Sequence, residues 1–289
     1  MLAEFDLLRP QTLPEALGLL AERAPDLRPL AGGTNVVVEL RDGVHPCKAL
    51  IDLSRLKELR GLGRQDGWMV IGGGTTLTEV LTHPLVAQYG AVLKEAAALF
   101  ANPLVRNRAT VAGNLVDASP AADAAPPLLA LGAEVELVSA KGARWVALED
   151  FMAGVRQTLR RPDELLRSVR WPVPSSRSAG AYAKVGLRKA DAISLLSAAV
   201  MVEQGEGGQC SLARIALGAV APRPFRAHAA EQALAGKALT ADAIGEAARL
   251  AAEAARPIDD IRARAAYRRR VTEVVVRRLL TQAAEAVGH

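Results

Sequence analysis

A chain of 289 residues, half of them hydrophobic and with moderate glycine and proline, is no disordered or fibrous protein, and its length predicts two domains or one domain of several lobes. Aromatic residues make up only 3%, so the core must be built from alanine, leucine and valine. The charge balance of +5 comes largely from the C-terminal run RARAAYRRRVTEVVVRR. A helix can spread those arginines over a solvated or intersubunit face, whereas a nucleic-acid surface interleaves stacking aromatics, and only Tyr267 stands there.

In chain order, Thr12-Leu13-Pro14-Glu15 reads as a helix start with a capping box, and that helix should end near Ala24-Pro25. RPLA is a short strand, AGGTN a loop, Val36 the start of a helix and ALIDL a second strand, giving a β-α-β unit by about residue 53. The strand WMVI then meets three glycines and a second capping box, Thr76-Leu77-Thr78-Glu79. Ala91 to Phe100 reads as a buried helix. ANPLVRNRATVAGNLVDASPAADAAPP has little periodicity and reads as a long irregular passage, of the kind more often functional than decorative. Strands return at AEVELVS, ARWVAL and ELLRSVRWPV, and Pro172 to Ser176 reads as a linker. Beyond it, GAYAKVGLRKADAISLLSAAVMV and SLARIALGAV read as two or three strands joined by QGEGGQ, followed by helices near 225–235, 241–255 and 261–284. Strands followed by helices predict an α+β domain.

Metal chemistry has few donors here. A cysteine-ligated iron–sulfur cluster needs four thiolates, and the chain has two, Cys47 and Cys210. The histidines, His45, His83, His228 and His289, show no HExxH or paired spacing, so no metal site is expected. The triplet His45-Pro46-Cys47 joins a thiol and an imidazole in sequence, which is not triad geometry. There is no GxSxG elbow, Walker loop or GxGxxG fingerprint. Few cysteines and no signal-peptide pattern in MLAEFDLLRP predict a cytoplasmic setting. The longest apolar run, about AISLLSAAVMV, is too short to span a membrane.

Three glycine-bearing loops remain: Gly32-Gly33, Gly72-Gly73-Gly74 and Ala112-Gly113-Asn114. The first two follow strands and precede helices, where free amides and the helix dipole favour an anion such as a diphosphate. Each is equally readable as a plain turn. Thr34, Asn35, Thr110, Asn114, Ser119 and Asp123 add hydrogen-bonding groups beside the glycines, which suits a nucleotide diphosphate and ribose held mainly by backbone amides.

LAGGTNVVVELRDG, IGGGTTLTEV and above all ANPLVRNRATVAGNLVDASPAADAAPPLLALGAEVEL resemble the FAD-binding medium subunit of the molybdenum hydroxylases, the group of xanthine, carbon monoxide, nicotine and aldehyde dehydrogenases. The resemblance extends through GAYAKVGLRKADAISLLSAAVMV and the helical end. It implies an α+β chain: a two-lobed FAD-binding domain of the vanillyl-alcohol oxidase type at 1–174, with lobes of about 1–56 and 57–174, and a smaller C-terminal α+β domain at 175–289. It implies a noncovalent FAD whose diphosphate lies between Ala31, Gly32, Gly33, Thr34 and Asn35 on one side and Thr110, Val111, Ala112, Gly113 and Asn114 on the other. Relatives often carry paired glycines where this chain has Ala112-Gly113, although an alanine can still present its amide.

Phe100 resembles the aromatic that packs on adenine, or is a buried residue ending a helix. Asp123 resembles a cofactor contact, or caps a short helix at Ala124. Lys184, Arg188, Lys189 and Asp191 either line the flavin-ring edge or the acceptor entrance, or form a strand-end charge cluster. A valine at Gly33 is expected to block the diphosphate and spare the fold.

The family role implied is electron transfer from 2Fe-2S clusters of a small subunit, fed by a molybdenum cofactor in a large subunit, through FAD to NAD, oxygen or a quinone. The assembly implied is a dimer of heterotrimers. Two rivals stand beside it. A self-contained flavin reductase of the related fold needs an acid near the flavin, for which the sequence offers no strong candidate. A nonenzymatic interaction module would use the basic C-terminal helix.

Overall fold

The computed structural model describes residues 4–45 and 47–287; Pro46, the centre of the His45 to Cys47 triplet, and His289 lie outside the described residues. The first lobe holds β1 (Asp6–Leu8), α1 (Leu13–Arg23), β2 (Leu27–Leu30), α2 (Val36–Arg41) and β3 (Ala49–Asp52). α1 starts where Thr12 accepts the Glu15 amide at 3.3 Å, with proline in the first turn. It buries Leu13, Ala16, Leu17 and Leu20, one helical stripe, onto the sheet. The strands are parallel in the order β1-β3-β2, so AGGTN sits at the carboxyl end of β2, before the crossover helix.

The second lobe holds β4 (Leu62–Gln65), β5 (Trp68–Gly72), α3 (Leu77–Thr82), α4 (Pro84–Tyr89), α5 (Ala91–Ala98), α6 (Pro103–Arg106), α7 (Val111–Asp117), α8 (Ala125–Ala130), β6 (Glu134–Ser139), β7 (Gly142–Ala147), α9 (Leu148–Phe151), β8 (Met152–Gly154), β9 (Gln157–Thr158) and β10 (Leu165–Pro172). Its main sheet, β4-β5-β10-β6-β7, is antiparallel at every pairing. The Thr76 capping box is complete, with Thr76 Oγ1 accepting from the Glu79 amide and Glu79 Oε2 from the Thr76 amide at 2.7 Å. The passage expected to be irregular is instead punctuated by α6, α7 and α8. These helices are four to seven residues long, too short to show a 3.6-residue period, and α6 and α7 are held by the side-chain caps Asn102 and Thr110.

The third unit is a four-stranded antiparallel sheet of β11 (Ser178–Val185), β12 (Leu196–Gln204), β13 (Cys210–Gly218) and β14 (Phe225–Arg226) with α10 (His228–Leu234), α11 (Ala241–Ala254) and α12 (Ala265–Val287). Alternation along β12 sends Leu196, Ala198, Val200 and Val202 into the core beneath these helices. The intervening Ala199 and Met201 enter the second lobe's core. This sheet is therefore buried on both faces. The lobe and the third unit are further joined where Arg223 Nη1 donates to the Glu149 and Met152 carbonyls at 2.6 and 2.7 Å. Arg268 of the basic run is buried and donates to Ala219 O and Asp260, while Arg269, Arg270, Arg277 and Arg278 are exposed. No helix among the described residues is long and apolar enough to cross a membrane.

Candidate functional site

The AGGTN loop faces the RNRATVAGN passage across a cleft of about 520 Å³. The lobes touch at its edge through backbone: a methyl group on Gly32 would stand 1.9 Å from the Arg108 carbonyl oxygen. Gly33 adopts φ +76°, the left-handed region. A valine there strains the chain whatever space surrounds it, so Gly33→Val is expected to lower stability as well as to block the diphosphate. Among the described residues, the amides of Gly32, Gly33, Thr34 and Asn35 donate no hydrogen bond within the protein. Four consecutive uncommitted donors at one rim of a cleft suit an anion with several oxygens.

The opposite rim is built differently. The amides of Val111 and Ala112 donate to Thr75 O at 3.0 Å and Gly73 O at 2.9 Å. Those of Gly113 and Asn114 donate to Thr110 Oγ1 and Thr110 O, each at 3.0 Å. Ala112 thus does not present its amide to the cleft. This rim offers side chains instead, the Thr110 hydroxyl and the Asn114 amide group, whose Oδ1 accepts from Ala124 N at 3.1 Å. The Gly72-Gly73-Gly74 amides are likewise consumed, by Gly61 O, Arg167 O and Leu59 O. A Cβ on Gly73 would meet Leu166 O at 2.4 Å, so that triplet serves close packing beneath α7 rather than anion binding.

Of the residues singled out in the sequence, Ala31, Gly32, Gly33, Thr34, Asn35, Phe100, Thr110, Ala112, Gly113 and Asn114 line the cleft. Phe100 also packs on the second lobe's core, and Arg106 Nη1 fixes its carbonyl at 2.8 Å. Seven others, Val111, Ser119, Asp123, Lys184, Arg188, Lys189 and Asp191, lie off the cleft lining. Val111, the first residue of α7, is fully buried. Asp123 and Lys184 pair with each other at 2.6 Å with both side chains buried, Ser194 Oγ donating to Asp123 at 2.6 Å and Lys184 also to Leu99 O at 3.2 Å. Burial raises the Asp123 carboxyl above its usual range while Lys184 and Ser194 draw it back. α8 has no side-chain cap; the Ala124 amide donates to Asn114 Oδ1, not to Asp123. Lys189 is exposed in the β11–β12 connection, where Arg188 donates to Asp191 O.

The cleft also takes in residues that sequence reasoning missed: Arg28, Val105, Val116, Asp117, Arg160 and Leu165-Leu166. Asp117 closes the AGNLVD stretch and could have been found from that motif, while Arg28 and Arg160 carry no local signal. Arg160 Nη1 is committed to the carbonyls of Arg161, Pro162 and Glu164, so it shapes the wall behind Leu165. At the rim, Arg28 pairs with Glu39, and Arg156 Nη1 lies 2.9 Å from Glu39 and 2.7 Å from Asp117.

Residues 3–174 match the family described as FAD binding domain in molybdopterin dehydrogenase, and residues 181–283 match the CO dehydrogenase flavoprotein C-terminal domain. This chain belongs to the FAD-binding family of the molybdopterin dehydrogenases. Its relatives in this flavoprotein family include the carbon monoxide dehydrogenase medium chain of Afipia carboxidovorans, 33% identical over 96% of each chain. The xanthine dehydrogenase FAD-binding subunit of Escherichia coli O157:H7 is 30% identical over 97% of this chain and 96% of its own. Among solved structures, carbon monoxide dehydrogenase from Hydrogenophaga pseudoflava superposes with a TM-score of 0.95, at 32% identity and 99% coverage of both chains. Quinoline 2-oxidoreductase from Pseudomonas putida 86 gives 0.92, at 31% identity over the whole of both chains. The chain is thus a flavoprotein oxidoreductase subunit with an FAD-binding domain and a C-terminal flavoprotein domain. The cleft fits that cofactor: its uncommitted amides match a diphosphate, and Phe100 offers an aromatic ring on the opposite wall.

Proposed function

We propose that this chain is the FAD-carrying electron-transfer subunit of a heteromeric molybdenum hydroxylase, receiving electrons from iron–sulfur clusters of a small partner subunit and passing them to NAD, oxygen or a quinone. The molybdenum cofactor belongs to a large partner subunit, in a dimer of heterotrimers working in the cytoplasm. The observation that carries the reading is the cleft whose first-lobe rim holds four uncommitted backbone amides. With two cysteines the chain falls short of the four thiolates of one cluster, so the electrons must reach it from another polypeptide.

Bound FAD would supply the conversion between one-electron carriers and the final acceptor. The chain's own part is binding, orientation and exclusion of water. In this reading the Gly32 to Asn35 amides hold the diphosphate, the Thr110 hydroxyl and Asn114 complete its shell, and Phe100 supports the adenine. The dinucleotide thereby fixes the two lobes of 1–174 against each other, with 175–289 as a C-terminal unit packed on the second lobe. Asp123 and Lys184 are an ion pair behind the cleft rather than cofactor ligands.

The reading is tested by purifying the chain alone and recording its visible spectrum before and after acid precipitation. A yellow protein that releases FAD into the supernatant is expected. A colourless protein that also takes up no added FAD overturns the reading. Co-expression with the two partner subunits should then yield a complex whose flavin is reduced by the organic substrate, and a flavin that stays oxidised while the clusters are reduced removes the electron-transfer role.

A further inference from the structure

The cleft has an electrostatic defect for the ligand proposed above. Asp117, at the C-terminal end of α7, lines the same cavity as the Gly32 to Asn35 amides, and its side chain is only 12% exposed. A largely buried carboxylate in the same cavity as a diphosphate would repel it, and the low dielectric of the cleft would strengthen the repulsion. The structure answers with one guanidinium. Arg156, in the tight turn between β8 and β9, places Nη1 2.7 Å from Asp117 Oδ1 and 2.9 Å from Glu39 Oε1. Glu39 stands one turn into α2, directly after the AGGTN loop, and its other oxygen is taken by Arg28 of β2. Arg156 itself is held in place, its φ of +54° in the left-handed region and its amide donating to Ala118 O at 2.9 Å. A residue from one lobe thus bridges an acid of that lobe to an acid of the other.

We propose that Arg156 is the clasp of the cofactor cleft: it joins Glu39 of the first lobe to Asp117 of the second, and by neutralising Asp117 it makes the cleft receptive to the dinucleotide diphosphate. It is a positioning residue, acting through Glu39 and Asp117 rather than by touching the cofactor. This rests on the FAD reading of the cleft. The acids need not be equivalent. Glu39 retains Arg28 when Arg156 is lost, whereas Asp117 has no other cationic partner among the described residues, so the damage falls on the carboxylate in the ligand's cavity.

The test is FAD affinity of the full-length chain, measured by flavin fluorescence on titration of the apoprotein. Arg156→Gln should raise the FAD dissociation constant about tenfold or more, and the difference should shrink at high salt, where charges at a half-exposed rim are screened. Arg156→Gln combined with Asp117→Asn should recover most of the loss, because the unpaired carboxylate is gone. Arg156→Lys, which keeps the charge, should stay near wild type. Unfolding midpoints of the apoproteins verify that each variant is folded, and about half of the Arg156 side chain is exposed, so little change is expected there. An Arg156→Gln affinity within twofold of wild type overturns the clasp, as does a double variant no better than the single one. A wild-type chain that takes up no FAD overturns the cleft reading instead, and the clasp with it.

Discussion

At the scale of single residues, the AGGTN loop divides its labour between two adjacent glycines. Gly32 is required by contact, since any side chain collides with the Arg108 carbonyl; Gly33 is required by conformation, since its φ is +76°. Gly33→Ala is therefore expected to cost on the order of 1 kcal/mol through backbone strain alone. Urea unfolding of the apoprotein checks this, and an unchanged midpoint would refute the assigned conformation. Thr110→Val tests a different link. It removes the acceptor for the Gly113 amide at the start of α7, a loss of about 1 kcal/mol, and also removes a hydroxyl from the cleft, so stability and FAD retention should fall together. Asp123→Asn should be the most damaging of the three, destabilising the fold by about 3 kcal/mol, because it leaves the buried Lys184 ammonium without its counter-charge. Replacing both members by leucine and methionine should recover much of that stability, and a double variant as unstable as Asp123→Asn would show that the pair is not what matters. The glycines, Thr110 and Asn114 were legible in the sequence because each acts within a local motif. Arg156 was not: it meets Glu39 across 117 positions, a pairing that only the packed lobes create.

At the scale of elements, β11 is the seam between the FAD-binding portion and the C-terminal sheet. The Tyr182 amide donates to Glu95 Oε2 of α5 at 2.9 Å, and a Cβ on Gly180 would meet Val92 of the same helix at 2.8 Å. Burial holds the Glu95 carboxyl above its ordinary value of 4.5, with the Tyr182 amide only partly offsetting this. The folded state therefore binds that proton more tightly than the unfolded chain does. The stability this contributes is complete below 4.5 and is lost as the pH climbs through the higher folded value. Glu95→Gln keeps an oxygen for the Tyr182 amide and cannot ionise, so its unfolding midpoint should fall less than that of wild type across this window. Parallel pH profiles for the two proteins would sink the assignment. The elements themselves show what sequence reasoning reaches. Thr12, Thr76 and Thr240 each cap a helix whose start was readable, because capping is a local hydrogen bond. Of the helices between 101 and 130, a short one at Ala124 was readable, but α6 and α7 were not, since their stability comes from the cores of the second lobe rather than from any periodic face of their own.

At the scale of the whole molecule, the division into two family segments does not correspond to two independent cores. Tyr182, Ala199, Met201 and Ala216 of the C-terminal sheet belong to the core that also holds Trp171 and Phe151. All three tryptophans, Trp68, Trp145 and Trp171, lie in the second lobe, whereas the longest helices, α11 and α12, lie beyond residue 240. Tryptophan fluorescence thus reports on the second lobe alone, whereas helical circular dichroism reports on α11 and α12 as well as on the helices of the first two lobes, and the shared core predicts coincident urea transitions. Two separated transitions would show that the C-terminal unit stands alone. The backbone contact between Gly32 and Arg108 reaches further still, into how such chains can be recombined. Because one lobe's loop is shaped against the other lobe's main chain, a hybrid that takes residues 1–56 from a relative and keeps its own 107–114 segment inherits two halves of different moulds. Grafting both segments from the same parent restores the match, so interchangeable pieces in this family are drawn across the lobes rather than along the chain.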